Sequence, residues 1–278
     1  VTYANGLFTS AAAPRTILGV MAFARRELLR PPPAGRARRI RLELLDGSKT
    51  TVHIAAHDAA RTEIRVAVLR GQARLEPWCE QRGVEEALVG GFFVRPEGLP
   101  LGEVRTRGVA RRHVPFDAPW AGVRACVHVQ GGTARIAGRD ALPEAPRGDL
   151  LQAGPLLVRG GVPVFRRERD AEGFSAGSRQ FDSDITAGRH PRAALGLSGE
   201  RYFAVACDGR SRHDAGLTLE ELAALMAALG SDTALNLDGG GSTSLVSGGR
   251  LRNRPRKAYD EPEPGGRPVS TALLFVPR

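Results

Sequence analysis

Thr233-Ala-Leu-Asn-Leu-Asp-Gly-Gly-Gly-Ser-Thr-Ser-Leu-Val246 sets a carboxylate, three glycines and a run of hydroxyls directly behind a short apolar segment. Glycine has no Cβ and reaches positive φ, so three in succession let a ligand approach the backbone and turn amide N–H groups toward phosphate or sugar oxygens. Asp238 stands at the edge of that cradle. Ala234, Leu235 and Leu237 on one side and Leu245 and Val246 on the other mark a loop held between buried strands, because a flexible linker has polar flanks. The familiar nucleotide loops do not fit. No Gly-x-x-x-x-Gly-Lys-Ser/Thr occurs, and the third glycine of a dinucleotide fingerprint would fall on Ser244.

Upstream, Thr218 and Glu221 make a capping-box pattern, Leu219, Leu222, Leu225, Met226 and Leu229 recur at helical spacing, and Gly230 supplies a stop. This part of the chain therefore reads helix, turn, buried strand, glycine loop. Toward the beginning, Thr16 to Ala24 reads as a helix, and Pro31-Pro-Pro-Ala-Gly35 marks a boundary. Arg39 to Leu45 alternates as a strand should, Asp46-Gly47 turns, and Thr50 to Ile54 returns as its hairpin partner. The middle carries short strands between glycines and prolines. Arg166 to Ser183, charged and poor in large apolar residues, reads as a long surface loop or a lid. A second hairpin covers Ser244 to Leu251, and Thr271 to Val276 is a closing strand. The pattern predicts an α+β protein in which mixed or antiparallel sheets outnumber a few packed helices.

Composition sets limits on function. The chain has 278 residues, 42% of them hydrophobic, enough to bury a large core as one or two domains. Its formal charge is +10, and Lys49 and Lys257 are the only lysines among 40 basic residues. Such a charge favours anionic partners, nucleic acids or phosphate-bearing substrates alike. With aromatic content of 5% and neither a stacking pattern nor zinc-finger spacing, no dedicated nucleic-acid module is expected. Cys79, Cys126 and Cys207 are odd in number and far apart, which suits buried small hydrophobes rather than a disulfide framework or a Cys-x-x-Cys metal pair. No apolar run is long enough to span a bilayer. Thr16 to Ala24 is too short and too late for a convincing export signal, although Ala22-Phe23-Ala24 resembles a cleavage site; a cytoplasmic protein is expected, with export left open. Oligomeric state is not set by the sequence.

Three other patterns fail as chemistry. Gly173-Phe-Ser-Ala-Gly177 matches a nucleophile elbow, but Arg166 to Glu172 is too charged to be the buried strand that must precede one. His53 and His57 stand four apart, yet their β-branched neighbours place them on a strand rather than on one face of a helix. His113, His128, His190 and His213 are scattered.

Several blocks in order resemble the phosphodiester glycosidase family: Gly90-Gly91-Phe92-Phe93, Pro100-Leu101-Gly102, Ala153-Gly154-Pro155, Pro191-Arg192-Ala-Ala-Leu-Gly196, Asp208-Gly209-Arg210, Asn236 to Thr243, Asn253-Arg254-Pro255 and Arg267-Pro268-Val269. His53 to Asp58 and Glu63 to Val68 are similar to the family's early strand pair. The resemblance runs from about Thr51 to the C terminus, so residues 1–50 read as an N-terminal extension with helix and strand and residues 51–278 as the catalytic domain. One position departs: Val89 stands where the family usually carries Asn.

The resemblance implies hydrolysis of a sugar-1-phosphodiester at the glycosidic carbon, with a small molecule or a glycan as substrate. It places carboxylate functions on Asp238 and Asp208. Arg192, Arg267 and the amides and hydroxyls of Gly239, Gly240, Gly241, Ser242 and Thr243 would hold the phosphodiester. Gly90 and Gly91 belong to the binding site, and Asn236 and Asn253 orient sugar hydroxyls or the loop. Arg192 follows Pro191 at the mouth of an apolar strand, and guanidinium suits phosphate. Phosphate leaves readily, so the site needs charge stabilisation more than proton donation. No cofactor is required, although two carboxylates and a phosphate are able to share a divalent cation, calcium or magnesium. Two alternatives stay open: a phosphodiesterase that cleaves P–O, and a non-catalytic binder of glycosyl phosphates.

Overall fold

The computed structural model describes residues 37–176, 180 and 186–278. The expected helix at Thr16 to Ala24 and the boundary at Pro31 to Gly35 lie outside them.

Antiparallel sheet dominates. A seven-stranded sheet runs Arg38–Glu43, Lys49–Asp58, Arg201–Cys207, Arg192–Leu197, Thr233–Asn236, Leu156–Arg159 and Val162–Pro163. A five-stranded sheet orders Arg250–Leu251, Leu245–Ser247, Ala87–Val89, Val269–Pro277 and Thr62–Ala73. A second five-stranded sheet joins Val109–Ala110, Val104–Thr106, Asp149–Gln152, Ala125–Gln130 and Thr133–Gly138. Every ladder among the described residues is antiparallel. Antiparallel sheet with few helices is thus present and the α+β class fits loosely: the α-helices among the described residues are Leu75–Glu80 and Leu219–Ala228, and the parallel pairing among them is the isolated bridge Leu101–Val114. The short loops explain this, because parallel pairing needs crossover connections of a dozen or more residues.

The large sheet is buried on both faces. Period-two alternation sends Tyr202, Ala204 and Ala206 into the principal core, where the sheets meet, and Phe203, Val205 and Cys207 into a second core under the long helix. That helix forms where its local signals predict. The Thr218 hydroxyl accepts the Glu221 N–H, the Glu221 side chain returns to the Thr218 N–H, and Leu219, Leu222, Leu225 and Met226 are buried. Each such leucine contributes about 1.5–3 kcal/mol when fully removed from water.

The strand at Arg38–Glu43 and its turn at Asp46-Gly47 form as expected, in register with Lys49–Ile54, so the described part of the first fifty residues is the outer strand of the seven-stranded sheet. The early strand pair is arranged differently from a hairpin. Lys49–Asp58 pairs with Arg201–Cys207, and Thr62–Ala73 pairs with Val269–Pro277 in another sheet. The turn between them switches sheets because each strand has a longer partner elsewhere.

In the stretch expected as a surface loop or lid, Arg166 to Arg169 are exposed, as a surface loop should be, whereas Glu172 to Phe174 form a structural staple. Phe174 is buried, and the Arg124 guanidinium lies 4.2 Å from its ring and 4.3 Å from that of Phe116. Glu172 accepts the Leu156 N–H at 2.5 Å and the Ala125 N–H at 2.8 Å, tying strands of two sheets together. Burial pushes its carboxyl up to about 7. Ser175 sits in a 3-10 turn rather than an elbow between strand and helix, and Gly177 lies outside the described residues. Glu172→Ala strips the acceptor from two backbone N–H groups and is expected to cost ~2–4 kcal/mol of stability. Urea unfolding checks this; a loss within error of zero would show that water replaces the carboxylate there.

Candidate active site

Strand register explains how motifs far apart in sequence meet. Ala194 pairs with Asn236, so the same antiparallel register sets Arg192 across from Asp238, and the Leu237 N–H reaches the Ala193 carbonyl at 2.9 Å. Arg192 also pairs with Cys207, so Asp208 emerges at the same edge of the sheet. The glycine loop is pinned from two directions. The Asp238 N–H donates to the Gly90 carbonyl at 3.0 Å, on the five-stranded sheet, and the Gly240 N–H donates to the Pro191 carbonyl at 2.9 Å.

The loop glycines answer specific demands. Gly240 has φ +60°, a conformation side-chain-bearing residues rarely adopt, and a Cβ there would lie 3.0 Å from the Arg210 guanidinium. At Gly239 a Cβ would lie 2.9 Å from the Pro191 carbonyl oxygen. Gly239, Gly240 and Gly241 thereby let backbone and arginines close on one volume.

That volume is a cleft of about 680 Å³. Of the sequence-predicted residues, Arg192, Asn236, Asp238, Gly239, Gly240, Gly241, Ser242 and Arg267 line it. Asp238 is the one carboxylate on its wall among the described residues. Its Oδ1 accepts the Gly239 N–H at 2.9 Å, and the Ser242 hydroxyl also donates to it. Burial pushes its carboxyl up to about 6, against those hydrogen bonds and the charges of Arg267 and Arg95. Arg192 is buried and donates to the Leu217 carbonyl at 3.2 Å and the Gly188 carbonyl at 3.3 Å. The Arg267 N–H holds the Gly241 carbonyl at 2.9 Å. Asn236 donates from Nδ2 to the Gly154 carbonyl at 2.8 Å, while its buried Oδ1 has no hydrogen-bond partner among the described residues.

Asp208, Gly90, Gly91, Thr243 and Asn253 are not on the cleft wall. Asp208 is buried, with Oδ2 at 3.1 Å from His53 Nε2 and Oδ1 accepting the Arg254 N–H at 2.6 Å. Its carboxylate faces His53, which stands opposite Ala206 in the register, rather than the cleft that Asp238 lines. Asn253 braces the loop from behind, accepting the Leu245 N–H at 2.9 Å and donating to the Thr243 carbonyl at 2.7 Å. Thr243 is fully buried. Gly90 and Gly91 serve close approach between strands. A Cβ on Gly90 would meet Thr271 Oγ1 at 2.4 Å, and one on Gly91 the Gln152 carbonyl at 2.9 Å. Val89 is fully buried in the principal core, so its side chain belongs to packing.

The cleft wall adds residues that the motif assignments passed over. Phe92, Phe93, Leu101 and Val114 make one part of the wall apolar; His190, Arg210 and Lys257, which also line a neighbouring groove, make another part basic, and Arg95 adds a further cation. Phe92, Phe93 and Arg210 stood inside the quoted blocks, where a stacking surface and a guanidinium were available signals. Arg95 and Lys257 carried none. Among the described residues no three His, Cys, Asp or Glu side chains gather as a cation-binding group, and no helix is long and apolar enough to cross a membrane.

An antiparallel β protein whose cleft sets one carboxylate of raised pKa among arginines and a glycine loop is built to hold an anionic, hydroxyl-rich ligand. The chain belongs to the phosphodiester glycosidase family, whose model matches residues 82–276. Among solved structures it is similar to the zebrafish N-acetylglucosamine-1-phosphodiester alpha-N-acetylglucosaminidase catalytic domain auto-inhibited by its pro-peptide (21% identity over 87% of this chain and 83% of that one, TM-score 0.65). It is also similar to a hypothetical protein from Synechocystis (18% identity, 87% and 62% of the two chains, TM-score 0.60), and to a protein from Burkholderia pseudomallei K96243 (18% identity, 85% and 76%, TM-score 0.62). These likenesses establish a shared fold. No curated protein matches the chain.

Proposed function

We propose that this protein hydrolyses the bond between the anomeric carbon and oxygen of a sugar-1-phosphodiester, releasing free sugar and a phosphomonoester. The observation that carries this reading is the convergence of Asp238, Arg192, Arg267 and the glycine loop on the wall of one cleft. Phosphate sits against the guanidinium groups and loop amides. The sugar ring lies on the Phe92 and Phe93 side. Water adds to the anomeric carbon, its proton passes to ionised Asp238, and the bonding pair of the breaking C–O bond stays on the phosphate oxygen. A single carboxylate suffices because the arginines stabilise a leaving group that is already a weak base. Asp208 acts through His53 and Arg254, holding the strand ends that carry the cleft.

Hydrolysis of an N-acetylglucosamine-1-phosphoalkyl ester in oxygen-18 water tests the reaction, the sugar being chosen from the zebrafish relative's name. Label is expected in the sugar; label in the phosphate would make the protein a phosphodiesterase, and binding without turnover a glycosyl-phosphate binder. Turnover is expected to persist after prolonged chelation, since no step described here uses a cation. Activity lost to chelator and restored by calcium or magnesium would place a divalent ion beside Asp238.

A further inference from the structure

The basic part of the cleft wall does not stop at its rim. A second groove of about 1050 Å³ shares His190, Arg210 and Lys257 with it and continues the same surface outward. Among the described residues six cationic side chains, Arg41, Lys49, Arg189, Arg210, Arg212 and Lys257, line this groove, and no carboxylate does.

Part of that charge is already used. Arg189 is held by Glu221 and Asp46, and Arg41 by Asp214. These guanidinium groups form the groove's fixed wall. The charge still offered to a ligand is on Arg212, exposed and hydrogen-bonded through Nε to the His213 ring, and on half-exposed Lys49, 3.7 Å from Glu43. Lys257, half-exposed with Glu261 at 2.5 Å, stands with Arg210 at the junction with the cleft.

A neutral leaving group gains nothing from the positive charge that these ion pairs leave uncovered at Arg212 and along the solvent-exposed rim. The apolar part of the wall at Phe92 and Phe93 takes the sugar, so the far side of the scissile phosphate is directed toward Arg210 and Lys257. Resting on the proposed glycosidase reading, we infer that the leaving group carries a second phosphate, bound in this groove beyond Arg210. The second phosphate belongs either to a neighbouring repeat of a glycosyl-phosphate polymer or to a small bisphosphorylated metabolite; guanidinium and ammonium recognise the same chemistry in both.

The test compares N-acetylglucosamine-1-phosphopropanol with the same ester carrying a terminal phosphate on the propyl chain. The second phosphate is expected to lower KM about ten-fold at low ionic strength, with the advantage shrinking as salt is added. In the Lys49→Ser/Arg212→Ser double variant, both sites exposed, the KM ratio between the two esters is expected to fall toward one. Equal KM values for the two esters in the wild-type protein overturn the inference and leave the glycosidase reading standing. Should neither ester be hydrolysed, that reading fails and calorimetry still decides the groove: propane-1,3-bisphosphate must bind more tightly than propyl phosphate, and the double variant must abolish the difference. A longer oligo(glycosyl phosphate) that improves KM beyond the bisphosphorylated ester assigns the polymer; no further gain assigns the small metabolite.

Discussion

Asp238→Asn is expected to lower kcat/KM on a sugar-1-phosphodiester by ~10³-fold or more, about 4 kcal/mol of transition-state stabilisation, while leaving the fold intact. Asparagine keeps the Oδ1 that accepts the Gly239 N–H, so the loop geometry survives. It removes the negative charge that faces the oxocarbenium-like carbon and takes the proton from water. The raised carboxyl gives this residue two pH signatures. Since the ionised form is the working one, kcat/KM should fall with acidity below about pH 6 and level off above it. Stability runs the other way: a folded-state value raised from 3.8 to about 6 means that the group's contribution is complete below the lower value and is lost as pH rises through the upper one. Asp238→Asn should therefore be no less stable than wild type at pH 8. A profile that instead declines above pH 6 would make the protonated carboxyl the working form and Asp238 a proton donor to the leaving phosphate.

Arg192→Ala should cost ~10²–10³-fold in kcat/KM, and Arg192→Lys should recover only part of it. The buried guanidinium is held by the Leu217 and Gly188 carbonyls while its side chain lines the cleft, so its position is fixed before substrate arrives. Lysine restores a charge but not the planar fork, and it cannot reach both carbonyls and phosphate together. A purely structural role predicts a different result: the alanine variant would lose thermal stability, and kcat/KM of its folded fraction would stay near wild type. Saturation kinetics together with a thermal melt on the alanine and lysine variants separate the two.

The two residues were legible to different degrees, and so were their neighbours. Asp238 stood out because its surroundings in sequence, an apolar strand before and three glycines after, are also its surroundings in space. Arg192 was one arginine among 38, and only its place in an ordered set of blocks singled it out. The sequence suggested Asp208 as a second carboxylate because it too ends a strand beside a glycine. Nothing local could reveal that its carboxylate pairs with the His53 ring on another strand. Asn253 was read as orienting sugar hydroxyls or the loop, and its side chain is hydrogen-bonded to Leu245 and Thr243. The Arg166 to Ser183 segment read as a surface loop or a lid by composition; Arg166 to Arg169 are exposed as a loop, while Glu172 and Phe174 clasp two sheets together.

By itself, then, the sequence determined the elements whose causes are local: the capped helix at Leu219–Ala228, the hairpin turn at Asp46-Gly47, the alternating strands and the glycine loop. Each follows from capping, periodicity or backbone freedom within a few residues. The tertiary structure decided which strand ends become neighbours, that Asp238 is the carboxylate on the cleft wall while Asp208 turns behind it, and that the cleft wall is apolar in one part and basic in another. These depend on register between strands some forty residues apart, such as Ala194 with Asn236. A shift of one residue in that pairing would turn every side chain to the opposite face, and only packing against the two cores selects the register that builds the site.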